Sequence, residues 1–196
     1  MEISSKLNEL ARQPRTAREY KAIYNERLLQ PVQARLDRLA RRELSPDDLM
    51  IAGARGFIEK LAARGAILYL ASGTDHIYVT AEANALGIAA FFGGGIYGAL
   101  DETEAHDKAL IIERILDDHG LRGAELAVVG DGPVEIREAK ARGALALGVA
   151  SDEIRRCGWN ERKRQRLLNA GADLLIADFT HGDALVERLM GTAPRG

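Results

Sequence analysis

From Ser45 onward, short apolar runs alternate with helical stretches, and that alternation restricts the chain to one broad class of fold. The runs Ile67–Ala71, Leu126–Val129, Leu145–Val149 and Leu174–Ala177 have strand length and composition. Helical patterns lie at 54–64, 75–86, 107–119, 134–142, 160–169 and 181–190, and a short extended piece falls near Gly95–Tyr97. Strands separated by helices run parallel, with helices covering both faces of the sheet. The expected fold is therefore α/β: a three-layer, doubly wound parallel sheet. A chain of 196 residues with 46% hydrophobic content can bury one core of ordinary size.

The N-terminal part has a different texture. Residues 16–42 are charged and helical, with Tyr20, Ile23, Tyr24 and Leu28 on one face and Leu36 and Leu39 following. No strand accompanies them. Pro31 is expected to start a new helix or to kink one, because its ring blocks the preceding turn. Ser45-Pro46-Asp47-Asp48 then supplies a helix start: a capping hydroxyl, a proline and two acids. The organisation read from this is a helical segment over 1–44, an α/β core over 45–190 and a tail over 191–196.

Charge excludes some functions. Lys and Arg number 27 against 29 Asp and Glu, a formal charge of −2, so no global field favours nucleic acid or a membrane surface. The basic stretch Arg155, Arg156, Arg162, Lys163, Arg164 and Arg166 reads as a solvated helix face, since only Trp159 is interleaved with it. A single cysteine, Cys157, allows no intramolecular disulfide and fits a reducing compartment. No run is long enough to span a bilayer, and the acids among the early arginines argue against a transit peptide. The expected location is cytoplasmic.

Three strand ends carry the candidate chemistry. Val128-Val129-Gly130-Asp131-Gly132-Pro133-Val134-Glu135 runs from an apolar strand into a glycine-flanked acid, then into a helix with a second acid four residues on. Glycines permit close approach of a ligand, and open α/β sheets bind ligands at the carboxyl ends of strands. Two acids on so tight a turn suit Mg²⁺, an oxygen-seeking ion; Glu135 could equally place its charge at a helix N-terminus. Ser72-Gly73-Thr74-Asp75 offers a hydroxyl, an amide and a helix start to an anion, although helix capping is the commoner role of such residues. Lys108 stands at the start of its helix, where a cation is electrostatically misplaced unless it serves an acid or an anion.

In their chain order of Ser72, Lys108 and the Asp131/Glu135 pair, these segments resemble the motifs of the haloacid-dehalogenase-like hydrolase superfamily, most of whose members are Mg²⁺-dependent phosphatases of the phosphoglycolate-phosphatase type. Leu68-Tyr69-Leu70-Ala71-Ser72-Gly73 resembles the second motif, whose hydroxyl binds the transferring phosphoryl group. Lys108 matches the third motif, and Gly130-Asp131-Gly132-Pro133-Val134-Glu135 the fourth, the acidic pair at the metal. Gly171–Phe179 is similar to the family's late strand and turn. The resemblance covers roughly 45–189, and the preceding helices resemble the end of a helical cap. It implies a phosphate-binding set of Ser72, Gly73 and Lys108, a metal pair of Asp131 and Glu135, Mg²⁺ as cofactor and a small phosphorylated substrate.

One departure is large. The family's first motif is an apolar strand ending in Asp-x-Asp, whose first acid attacks phosphorus, and no such strand precedes the cap-like helices here. In the family that strand lies between the second-motif and fourth-motif strands. The remaining strands are therefore expected not to pair as one sheet, leaving two apolar edges open. The simplest expectation is the C-terminal part of a longer enzyme, inactive by itself, that needs an N-terminal segment or else self-associates. A non-catalytic interaction module, a phosphomutase and a dehalogenase are the alternatives.

Overall fold

The computed structural model describes residues 16–99 and 108–191, which divide into two compact units at Ser45/Pro46. In the first unit, helix α1 (Ala17–Ala40) opens on a reciprocal cap. The Thr16 hydroxyl accepts the Glu19 amide at 3.2 Å, and the Glu19 carboxylate accepts the Thr16 amide at 2.7 Å. Pro31 lies inside this helix, which is assigned unbroken from Ala17 to Ala40. The expectation of a new helix start there is corrected. Lys108 begins a later helix with its side chain outside the described residues, as is Asp107.

The second unit is α/β, with every strand pair parallel, as the alternation predicted. Its elements run α2 (Ala54–Ala63), β1 (Tyr69–Asp75), α3 (His76–Ala85), β2 (Gly95–Ala99), α4 (Lys108–His119) and β3 (Ala127–Gly130). They continue with α5 (Pro133–Ala141), β4 (Leu145–Val149), α6 (Glu161–Asn169), β5 (Leu174–Ile176) and α7 (Gly182–Met190). The strands form two sheets, β1-β2 and β3-β4-β5. Helix α4 packs on both β1 and α5, and α5 packs on β3 and β4, so this helix pair ties the sheets together.

Burial follows position in each sheet. Central β4 is closed off, with Ala146 and Leu147 fully buried. Ala146 joins Ile136, Ala139, Leu167 and Ala170 in one core cluster. Edge strand β3 leaves Val129 39% exposed, unusual for a parallel strand, which is ordinarily covered on both faces. Among the described residues neither β1 nor β3 has a strand on its second edge. A second cluster joins α2 to α7 through Phe57, Leu61 and Val186, with Phe57 stacked on Phe179 at 4.8 Å between ring centroids.

Strand β1 extends further than the sequence suggested. Its register against β2 pairs Ala71 with Tyr97 and then Asp75 with Ala99, so Ser72, Gly73 and Thr74 together face Gly98 alone. The crowding explains the glycine. A Cβ at position 98 would sit 2.8 Å from the Thr74 carbonyl oxygen and against the His76 backbone. The helix therefore begins at His76 after a bulge rather than directly after a strand ending at Ala71. No helix among the described residues is long and apolar enough to cross a membrane.

Candidate functional site

Two segments carry the candidate polar groups, the bulge within β1 and the turn after β3. In the β1 bulge the Ser72 hydroxyl oxygen accepts the Thr74 amide at 3.1 Å. Bulges re-aim side chains next to functional sites, and this one leaves the hydroxyl proton of Ser72 available to an incoming acceptor. Gly73 is exposed at the same bulge. Ser72 does not cap α3: the N-cap residue is Asp75, and no side-chain cap bond forms there.

At the end of β3 the two acids have separated roles. The Asp131 side chain is 61% exposed and projects from the turn. Glu135 is only 7% exposed and folds back, its Oε1 accepting the Gly132 amide at 2.9 Å in a capping-box arrangement, with Pro133 opening the helix. The flanking glycines make room for this acid. A Cβ at Gly130 would strike Glu135 Cγ, and one at Gly132 would lie 2.7 Å from its Oε2. Neither glycine has a positive φ, so the requirement is steric. Gly130→Ala is expected to lose about 1–3 kcal/mol of stability in urea unfolding. Glu135→Ala in the same chain should recover part of the loss, because the struck atoms are gone.

The cation that meets Asp131 is Lys163. Its Nζ donates to Asp131 Oδ2 at 3.0 Å and to Glu153 Oε1 at 2.8 Å. Its side chain is only 11% exposed, so the reading of this lysine as part of a solvated basic face is corrected. Burial pulls its pKa down, but the hydrogen bonds to Glu153 and Asp131 outweigh that and hold it above the ordinary lysine value. Its neighbour Arg164 stacks over the Trp159 ring at 5.1 Å. Lys163 went unnoticed because its partners lie 32 and 10 residues away in sequence. The available signal was a lysine in the first turn of a helix capped by Asn160, the wrong end of the dipole for a cation.

Glu153 comes from a firmly held loop. Ser151 bridges Trp159, Asp152 accepts the Ile154 and Arg155 amides at 3.0 and 2.9 Å, and the Ala52 amide donates to the Arg156 carbonyl at 2.8 Å. Asp178, after β5, accepts the Gly158 amide at 2.8 Å and the Thr180 hydroxyl at 2.6 Å. Burial pushes the Asp178 carboxyl up, yet these bonds outweigh it and keep its pKa below the usual range.

Mg²⁺ needs oxygen ligands and keeps several waters. Among the described residues no group of three His, Cys, Asp or Glu side chains is placed to hold a metal ion. Asp131, exposed at a strand end, suits the role of one direct ligand, while Glu135 braces the turn that presents it. No hydrogen bond among the described residues joins Ser72 to this turn.

Open, parallel α/β sheets of the Rossmann-like kind bind ligands outside the carboxyl ends of their strands. The profile of the haloacid dehalogenase-like hydrolase family matches residues 6–143, and the chain belongs to that family. It is similar to a conserved haloacid dehalogenase-like protein of unknown function from Agrobacterium tumefaciens, with TM-score 0.64 and 20% identity, over 96% of this chain and 77% of that one. A haloacid dehalogenase-like family protein from Streptococcus pneumoniae is 27% identical at TM-score 0.50, over 61% of this chain and 51% of that one. A predicted phosphoglycolate phosphatase from Haemophilus somnus is 22% identical at TM-score 0.55, over 68% of this chain and 55% of that one. The chain thus spans about half the length of the last two. Among curated proteins, no relative is found.

Proposed function

We propose that this chain carries the phosphate-binding and metal-binding side of a Mg²⁺-dependent phosphohydrolase acting on a small phosphate monoester through an aspartyl-phosphate. The observation that supports this is the placement of Ser72 in the bulge of β1 and of Asp131 directly after β3, in a hydrolase of this family. The attacking carboxylate would come from residues outside this sequence, on a strand beside β1 and β3. Ser72 donates its hydroxyl proton to a phosphoryl oxygen while its own oxygen stays fixed by the Thr74 amide. The Gly73 amide and Lys108 hold charge on the same oxygens, the electrostatic stabilisation that usually dominates such catalysis. Asp131 takes the metal, and Glu135 keeps the turn in shape. When bound, Mg²⁺ neutralises charge building on the phosphoryl group.

The test is hydrolysis of p-nitrophenyl phosphate with Mg²⁺ by a longer polypeptide in which a strand ending in Asp-x-Asp precedes Met1. In that protein Ser72→Ala is expected to lower kcat/KM by on the order of 10², and Lys108→Ala by more, since it removes a charge. A Lys108→Ala protein as active as the parent would make Lys108 a surface charge and remove it from the site.

A further inference from the structure

Strand β1 gives up regular pairing where it carries Ser72. The ladder against β2 runs from Tyr69/Gly95 to Ala71/Tyr97 and resumes at Asp75/Ala99, so Ser72, Gly73 and Thr74 stand opposite one residue, Gly98. A bulge disrupts the ladder, and a glycine inside a strand leaves no side chain to pack. Neither feature strengthens the sheet. Gly98 is buried and has no positive φ, so the position requires the absence of a side chain rather than a glycine conformation. A Cβ there would lie 2.8 Å from the Thr74 carbonyl oxygen and 2.5 Å from the His76 amide nitrogen. Backbone on the facing side cannot swing aside as a side chain would. Thr74 is also the residue whose amide holds the Ser72 hydroxyl oxygen, at 3.1 Å. A chain of contact therefore runs from Gly98 through Thr74 to Ser72.

We propose that Gly98, on β2, is a positioning residue for phosphate binding. By letting β2 close onto the bulge, it keeps the Thr74 amide on the Ser72 oxygen and so fixes where Ser72 donates its proton. The inference rests on the reading of Ser72 as a phosphoryl ligand and adds a residue on another strand that acts through it. A serine hydroxyl rotates to suit its partners. With its oxygen occupied by the amide, its proton is directed away from Thr74 and toward an incoming acceptor. An alanine at 98 would press on Thr74 and His76. The bulge would yield to it, because the ladder holds the strand at Ala71 and Asp75 but not between them.

The experiment is the binding of inorganic phosphate to the full chain, read from the ³¹P line width on titration, with far-ultraviolet circular dichroism as the folding control. Losing a hydrogen bond to a charged group is worth on the order of tenfold in affinity. Ser72→Ala should weaken phosphate binding by about that factor, and Gly98→Ala to a similar extent. The double variant should bind no more weakly than Ser72→Ala alone, since one residue acts through the other. Gly94→Ala is the matched control. Its Cβ would strike the Tyr69 ring, so it stresses the contact between β1 and the chain entering β2 without pressing on the bulge. It should bind phosphate as the parent does. If Gly98→Ala loses helical signal, it is remade together with Gly56→Ala. Gly56 lies within α2, where a Cβ meets nothing within 4 Å and alanine favours the helix.

A double variant that binds more weakly than Ser72→Ala overturns the proposal, because Gly98 would then act by another route. So does a Gly94→Ala loss as large as that of Gly98→Ala, which would make the effect one of general packing. A Gly98→Ala chain that has lost its fold in both backgrounds makes Gly98 a folding residue and also overturns it. Ser72→Ala separates the two levels. If it weakens binding while Gly98→Ala matches the parent, only the positioning role fails. If Ser72→Ala binds like the parent, or the parent itself binds no phosphate, the reading of Ser72 fails and this inference with it.

Discussion

Asp131→Asn should remove Mg²⁺-dependent hydrolysis, by roughly a hundredfold or more, while changing the melting temperature little. The two outcomes separate because of where the side chain sits. Asp131 is exposed on its turn, and its ion pair to Lys163 leaves that lysine still bonded to Glu153. Exposed ion pairs contribute about 0–1 kcal/mol, so stability has little to lose. The amide keeps the shape of the carboxylate but not the charge a hard cation requires. Glu135→Gln should behave in the opposite sense. That acid is 7% exposed and accepts the Gly132 amide, so its loss is expected mainly in folding stability. Mg²⁺ dependence unchanged in Asp131→Asn would remove Asp131 from the metal site.

What could be read from the sequence here was what depends on near neighbours. The order of strands and helices after Ser45 follows from apolar runs and local turn signals, and the observed elements match it within a few residues. The acidic turn stood out because its glycines, proline and two acids are contiguous. The losses were non-local. Strand β1 continues through Ser72 to Asp75 because Gly98, on another strand, leaves room for the bulge. Lys163 looked like one more charge in a basic run because its carboxylate partners arrive from two other segments. The glycines around Asp131 read as openings for a ligand, whereas the space they leave is filled by the returning side chain of Glu135. Pro31 reads locally as a break, yet α1 carries it without one.

Supplying an apolar strand that ends in Asp-x-Asp-Gly-Thr, fused before Met1 or as a separate chain, should yield compactness and Mg²⁺-dependent hydrolysis together. Residues 1–196 without that strand are expected to be inactive and to self-associate. The reason lies in the sheets. Strand β3 leaves Val129 39% exposed, and Ile67, just before β1, is 64% exposed, although parallel strands ordinarily lie buried. Neither β1 nor β3 has a second strand neighbour among the described residues, and their backbone groups on that side form a template for any extended chain. Helices α4 and α5 hold the two sheets in one unit through packing rather than strand pairing. An added strand that pairs with both edges would satisfy those groups, cover Val129 and bring a carboxylate to the side of the sheets where the β1 bulge carries Ser72 and the β3 turn carries Asp131. The signature is coupling: the same titration of added strand should convert oligomer to a single compact species in sedimentation and raise turnover of p-nitrophenyl phosphate. A 196-residue chain that is monomeric, melts cooperatively and hydrolyses phosphate esters unaided would overturn this, because its nucleophile would then have to lie within residues 1–196.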